Sequence, residues 1–203
     1  VSCVLRFAPV TERELLLTGI GGQGVQLAAQ VVARAAVLEG RDVMLFGVYG
    51  GVMRGGNSDA TVVVADGPVQ APPIVSHAWS AVALHPRYWE PLRARLVPDA
   101  VVVVNSSLFE EPVDLPRVFE VPATEVATEQ LGNPMAVSMV ATGAYVALTG
   151  LVTLDSAIAA MRESLPAYRR QHADANAEAL RAGAALVEPL AAPAWSPMTA
   201  TTV

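Results

Sequence analysis

A glycine turn set between two different hydrophobic patterns is the strongest constraint in this chain. Leu15–Thr18 is a short apolar run that ends in Gly19-Ile20-Gly21-Gly22-Gln23-Gly24. Behind it, apolar residues recur at Val25, Ala28, Ala29, Val32, Ala36 and Val37, a spacing close to one helical face. The local reading is strand, glycine turn and helix over Val25–Glu39, with Gly40 as the C-terminal stop. Val43–Phe46 then reads as a second strand. A glycine-rich loop, Gly47–Asn57, leads to a third strand at Ala60–Ala65, closed by the turn Asp66-Gly67-Pro68.

The same alternation continues down the chain. A strand is expected around Ala81–Leu84 and a short helix around Tyr88–Leu96. Ala100–Val104 is apolar enough to be a central strand buried on both faces, terminated by Asn105-Ser106-Ser107. Val118–Val121 is a further strand, and Thr124 reads as the N-cap of a helix over Glu125–Leu131. Asn133-Pro134 opens a long uncharged helix, Asp155 opens another that runs to about Leu165, and Ala173–Val187 is a third. This pattern predicts an α/β fold: a three-layer, Rossmann-like domain with a mixed, largely parallel sheet covered by helices. It occupies residues 13–188, between a flexible N-terminus (1–12) and a proline-containing tail (189–203) read as disordered. With 53% hydrophobic but only 5% aromatic residues, the core must be built from close-packed Ala, Val and Leu. Leu131–Leu154 is uncharged and long enough to span a bilayer. Its Asn, Pro, Ser, Thr and Gly residues, and its lack of flanking Arg anchors, favour a helix buried in a soluble core. Val1–Pro9 lacks the apolar stretch of a signal peptide, so a cytoplasmic protein is expected.

Several function classes are excluded by residue counts. The formal net charge is -6, which gives no electrostatic footprint for nucleic acid or an anionic membrane. All basic residues other than histidine are Arg, so a Schiff-base lysine and a P-loop lysine are both ruled out. Cys3 is the only cysteine, which excludes a cysteine-held iron–sulfur cluster within this chain. His77, His85 and His172 have no neighbours at ligand spacing, so no metal site is expected. Gly19-x-Gly21-x-x-Gly24 formally satisfies a dinucleotide fingerprint. The acid expected at the end of the second strand is missing, however: Asp42 precedes that strand. A self-contained dinucleotide-binding regulatory module therefore remains only as the alternative.

The second loop points elsewhere. Tyr49-Gly50-x-x-Met53-Arg54-Gly55-Gly56 belongs to no nucleotide fingerprint. Together with Gly21-Gly22-Gln23-Gly24 it closely resembles the gamma subunit, or gamma domain, of 2-oxoacid:ferredoxin oxidoreductases. The resemblance extends through Asn105-Ser106-Ser107-Leu108 and through Leu131-Gly132-Asn133 into Gly143-Ala144-x-x-Ala147-Leu148-Thr149-Gly150-Leu151. It ends in the last helix, at Asn176, Ala179-Leu180 and Gly183. One departure is that Gly51-Val52 stand where the family usually has Pro-Glu or Pro-small, so no loop carboxylate is carried over. The Met53–Gly56 and Asn105–Ser107 versions look more like the 2-oxoglutarate type than the pyruvate type, with pyruvate and branched-chain 2-oxoacids as the other candidates. The resemblance implies an assembly that decarboxylates a 2-oxoacid on thiamine diphosphate with magnesium. Electrons pass through iron–sulfur clusters to ferredoxin, and the acyl group goes to coenzyme A. Those cofactors are expected on alpha and beta subunits and a ferredoxin or ferredoxin-like partner, with none bound by this chain alone and no catalytic residue on it.

The candidate site residues are Gly21, Gly22, Gln23, Gly24, Tyr49, Gly50, Arg54, Gly55, Gly56 and Asn105. Gly21–Gly24 would offer backbone amides to an anion or to a partner loop, or form only a tight turn. Arg54 would clamp a phosphate or carboxylate, pair with an acid across a subunit contact, or stand free in solvent. Tyr49 would pack under its loop or present its hydroxyl at the interface. Asn105 sits at a strand end where α/β ligands commonly bind, but an Asn also simply ends a strand. If the first two strands are parallel neighbours, both loops emerge together at one sheet edge.

Overall fold

The computed structural model describes residues 10–49, 55–72 and 74–195. Six strands form one mixed sheet in the order β2-β3-β1-β4-β5-β6. They are β1 (Glu12–Ile20), β2 (Asp42–Tyr49), β3 (Asn57–Ala65), β4 (Ala78–Ala83), β5 (Leu96–Asn105) and β6 (Val118–Val121). β1, β4, β5 and β6 pair in parallel, whereas β3 runs antiparallel to both β1 and β2. The first two strands are therefore not neighbours, as the glycine-loop argument assumed. β2 and β3 pair antiparallel, and the reversed strand fills the place beside β1.

The helices are α1 (Val25–Leu38), α2 (Trp89–Arg93), α3 (Ala123–Glu125), α4 (Val137–Thr149), α5 (Leu154–Ser164) and α6 (Ala173–Ala184). α3 continues as a π-helical turn over Val126–Gln130. Strand residues alternate between two cores. Leu15, Leu17, Val62, Val82, Val101 and Val103 face α1, α4 and the helices packed on them. Leu16, Val63, Ala81, Val102 and Val104 face the other way, under Trp89 and Leu92 of α2 and flanking loops. The three expected layers are present but unequal, because only one short helix lies on the second face.

Local chemistry accounts for the element ends that differ from expectation. The helix placed at Tyr88–Leu96 is a 3-10 turn over Pro86–Tyr88 followed by α2, and Leu96 already belongs to β5. Thr153, not Asp155, caps α5, by accepting from the Ser156 N–H at 3.2 Å. Thr124 caps nothing, because its hydroxyl accepts from Asn105 instead. The uncharged stretch divides into a 3-10 turn at Pro134–Ala136 and the buried helix α4. No helix among the described residues is long and apolar enough to cross a membrane. The tail read as disordered is docked as far as Trp195. The Leu190 N–H donates to the Leu148 carbonyl at 2.9 Å and the Ala194 N–H to that of Thr149 at 2.7 Å. The Trp195 indole N–H donates to the Leu151 carbonyl, and the Arg41 guanidinium lies 3.7 Å from the indole centre. Of the prolines that suggest disorder, Pro189 precedes these anchors and Pro193 sits between them; residues 196–203, with Pro197, lie outside the described residues.

A chain with few aromatic rings brings its helices together through small residues. A Cβ at Gly143 would overlap the Leu180 carbonyl, and one at Gly183 would overlap the Val140 carbonyl. α4 and α6 thus touch backbone to backbone, which places the start of α6 beside the start of α4. Gly183→Ala must push rigid main chain apart. A loss of about 3 kcal/mol is expected, seen as a fall in melting temperature of roughly 6–12 °C.

The largest fully buried side chain is Tyr145 on α4. Its hydroxyl lies 2.8 Å from Ser80 Oγ, and Ser80 gives its single proton to the Glu14 carbonyl, so the phenol is the donor. Burial raises its pKa far above the ordinary tyrosine range. The unfolded phenol ionises near pH ~10 while the folded one keeps its proton. Above that pH the folded state binds more protons than the unfolded one, so stability falls as pH rises, by about 1.4 kcal/mol per pH unit. Chemical denaturation at pH 9 to 11 checks this, and Tyr145→Phe removes that part of the slope.

Candidate functional site

The carboxyl ends of β1, β2, β4, β5 and β6 all emerge at one edge of the sheet, together with the start of β3. There the two glycine loops meet through their backbones. The Gly21 N–H donates to the Gly56 carbonyl at 2.8 Å, and the Gly55 N–H donates back to the Gly21 carbonyl at 3.3 Å. Gly50 and Arg54 lie outside the described residues, and of Tyr49 only the backbone is described.

The first turn is held from within. Gln23 Oε1 accepts from the Ile20 N–H at 2.9 Å, and its amide reaches the Leu84 carbonyl at 3.5 Å. Its side chain therefore closes its own turn and bridges to β4. Gly22 and Gly24 have φ of +109° and +86°, which only glycine adopts without strain. Gly24 is also the N-cap of α1, and a Cβ there would strike the Ser138 side chain at the start of α4.

Asn105 is likewise committed. It is 1% exposed; its amide donates to the Leu84 carbonyl at 3.2 Å and to Thr124 Oγ1 at 2.8 Å. Its Oδ1 accepts from the Thr124 N–H at 3.1 Å, while Ser107 Oγ accepts from the Glu125 N–H. The Asn105-Ser106-Ser107 segment thus satisfies the free amides at the start of α3 from the end of β5. Every hydrogen-bonding group of the Asn105 side chain is used inside the fold.

What stays open is a cleft of about 300 Å³ between the first glycine turn, the start of α4 and the start of α6. Gly22 and Gly24 line it, with Ser138 on α4, Asn176 on α6 and Asn133 just before the turn that leads into α4. Arg169 and His172 supply the basic side chains, and no acidic residue lines it. The N-terminal end of α1 lies at its wall without a side-chain cap, and its free amides and dipole favour negative charge, whereas α4 is entered through the 3-10 turn whose Met135 N–H is capped by Asn133 Oδ1. Reasoning along the sequence missed Ser138, Arg169 and His172. Only the α4–α6 contact brings them to the turn, and the small residues at Gly143 and Gly183 were its one available signal. Beside the cleft edge, Asp59 accepts from Thr18 Oγ1 at 2.6 Å and from Asn57 Nδ2 at 2.7 Å, and Gln26 donates to the Asp59 carbonyl. This network holds the base of the second loop.

Among the described residues no three His, Cys, Asp or Glu side chains are grouped to hold a metal ion. The arrangement presents main-chain amides and the Arg169 guanidinium to a guest. Among the described residues no nucleophile–base hydrogen bond accompanies them.

Comparison with known proteins gives a consistent result. The profile of the family described as pyruvate ferredoxin/flavodoxin oxidoreductase matches residues 14–186. A pyruvate synthase subunit PorC from Methanothermobacter thermautotrophicus is 34% identical over 83% of this chain and 92% of its own. A 2-oxoglutarate synthase subunit KorC from Methanocaldococcus jannaschii is 30% identical over 76% of this chain and 84% of its own. The crystal structure of the gamma subunit of a keto/oxoacid ferredoxin oxidoreductase from Geobacter sulfurreducens superposes with a TM-score of 0.74 at 28% identity, covering 86% of this chain and 95% of that one.

Asn105→Ala leaves the Thr124 N–H without its acceptor and the Leu84 carbonyl with only the long contact from Gln23. A stability loss of about 1–3 kcal/mol is expected, measured from the urea midpoint.

Proposed function

Since the chain belongs to the pyruvate ferredoxin/flavodoxin oxidoreductase family, we propose that it is the gamma subunit of a multi-subunit enzyme that oxidatively decarboxylates a 2-oxoacid to its acyl-CoA, with ferredoxin as electron acceptor. Relatives of similar identity are named for 2-oxoglutarate and for pyruvate. The Met53-Arg54-Gly55-Gly56 loop favours 2-oxoglutarate. Alpha and beta subunits carry thiamine diphosphate and magnesium, and they or a ferredoxin-like chain carry the iron–sulfur clusters. A lone cysteine supports this division, because cluster ligation takes several thiolates. The complex works in the cytoplasm.

The chain's own contribution is the glycine-lined cleft, which receives an anionic group. Coenzyme A is the substrate of such a complex that carries phosphates. The observation that supports this role is the acid-free cleft with Arg169 and the uncapped start of α1 at its wall. Arg54, on the loop hydrogen-bonded to the same turn, adds a second guanidinium that pairs with a phosphate or carboxylate. The glycine edge serves equally as a seat for a partner's loop.

Activity assays separate this reading from a self-contained dinucleotide-binding module. The isolated chain is expected neither to reduce a dye with 2-oxoglutarate nor to bind thiamine diphosphate, and calorimetry with NAD(H), FAD and coenzyme A is expected to give weak or no binding. Micromolar NAD(H) binding to the lone chain would support the module instead. In the reconstituted complex, Arg54→Ala is expected to lower activity at least about tenfold, equivalent to ~1.4 kcal/mol, while the lone variant keeps its circular dichroism spectrum. An effect on the KM for coenzyme A marks an anion contact; loss of assembly marks a subunit contact.

A further inference from the structure

We propose that a partner subunit of the complex lays an extended segment along β2 as a seventh strand, with its apolar side chains in the groove between β2, α1 and the end of α5. Among the described residues β2 is the last strand of the sheet and pairs only with β3, so alternate N–H and C=O groups along its eight residues point away from any described strand. Natural edges are blunted by charge, proline, a bulge or shortness. β2 has none of these beyond Asp42 at its first position. The opposite edge is treated differently: β6 has four residues and carries an exposed Glu120.

Side chains mark the same corner. Eight large apolar residues are exposed among the described ones, and four of them cluster here: Val37 at 59%, Leu38 at 50%, Leu45 at 41% and Phe46 at 44%. By strand alternation Leu45 lies on the α1 face and Phe46 on the other, so both faces of the edge are greasy. Beside Leu45 runs a groove of about 520 Å³, lined by the apolar Val37, Val43, Leu45 and Leu165 together with the polar Gln30, Arg34 and Glu163. Ser164 lines it too, and its hydroxyl is buried without a hydrogen-bond partner. An extended segment meets all of these needs together. Its main chain pairs with the open edge, its alternate side chains enter the groove and cover Phe46, and its backbone reaches Ser164.

The alternative occupant is a second copy of this chain. Joined edge to edge about a two-fold axis, an eight-residue strand gives a contact ~26 Å long and one sheet deep. That is on the order of 260 Å² per partner, a third of the roughly 800 Å² that a stable interface needs. Each copy also brings a net charge of -6. A partner segment that fills the groove as well escapes the area shortfall.

This inference rests on the subunit reading, and hydrogen exchange tests the two separately. In the lone chain the outward amides of Asp42–Tyr49 are expected to exchange fast; in the complex assembled with purified alpha and beta subunits they slow at least about a hundredfold. Leu45→Arg, and independently Phe46→Arg, are expected to weaken assembly at least tenfold while the lone variants melt as the unsubstituted chain does. If the complex forms with fast-exchanging β2 amides and tolerates both variants, the docking proposal falls and the subunit reading stands. If the lone chain sediments at twice its monomer mass with β2 already protected, the occupant is a second copy and the proposal is overturned. If alpha and beta subunits do not bind the chain at all, both readings fall.

Discussion

The antiparallel pairing of β3 with both β1 and β2 is the constraint on which the candidate site depends. A parallel third strand would need a crossover and would carry the second glycine loop off to the far side of a helix. Because β3 starts at the edge where β1 and β2 end, Gly55 and Gly56 arrive within hydrogen-bonding distance of Gly21. The exchange between Gly21 and Gly55–Gly56 then fastens two loops into one surface. Asp59, Thr18, Asn57 and Gln26 hold the base of that surface from below. Placing β3 inside leaves β2 outside, so one pairing choice both assembles the glycine edge and exposes the strand proposed to dock a partner.

The second determinant is the small-residue contact between α4 and α6. A core of Ala, Val and Leu gains less per side chain than one with large rings, so it must gain by close approach and many dispersion contacts. Gly143 and Gly183 allow the two helix backbones to meet, with Ala144, Ala177, Ala179 and Leu180 fully buried around them. This is a fold-level contact with a consequence at the edge of the sheet. It fixes Ser138 against Gly24 and swings Arg169, His172 and Asn176 into the cleft.

Strands and helices were legible because their periods differ and because glycines and prolines punctuate them. All six strands were located, but of these only β6 with its full bounds, since ends such as the half-buried Glu12–Glu14 and the exposed Pro98-Asp99 carry no apolar signal. Direction and order were not legible. A glycine-rich loop can close a hairpin or lead into a crossover, and nothing local to Gly47–Asn57 distinguishes them. Thr124 was misread as a cap because capping was sought along the chain, whereas the acceptors for α3, Asn105 and Ser107, come from another strand. The tail to Trp195 was misread because its composition resembles disorder, while its anchors are three-dimensional: the Leu148, Thr149 and Leu151 carbonyls and Arg41. Of the candidate site, the glycines were found by pattern, and the helix-borne residues of the cleft were invisible until α4 and α6 were packed.

The division of polar groups at this edge restricts what the site can recognise. Gln23, Asn105, Ser107, Thr124 and Asp59 all spend their side chains on the protein itself. What is left facing the cleft is chiefly peptide amide at glycine positions and the start of α1, with Arg169 and His172 beside it. Amides of this kind donate in fixed directions and read charge and oxygen geometry, with little sensitivity to the carbon skeleton behind them. A surface so made suits a phosphate or a backbone carbonyl, groups common to every member of a ligand class, and it suits poorly the discrimination of one 2-oxoacid from another. On the proposed reading substrate choice falls to other subunits, which is consistent with relatives of similar identity being named for different 2-oxoacids.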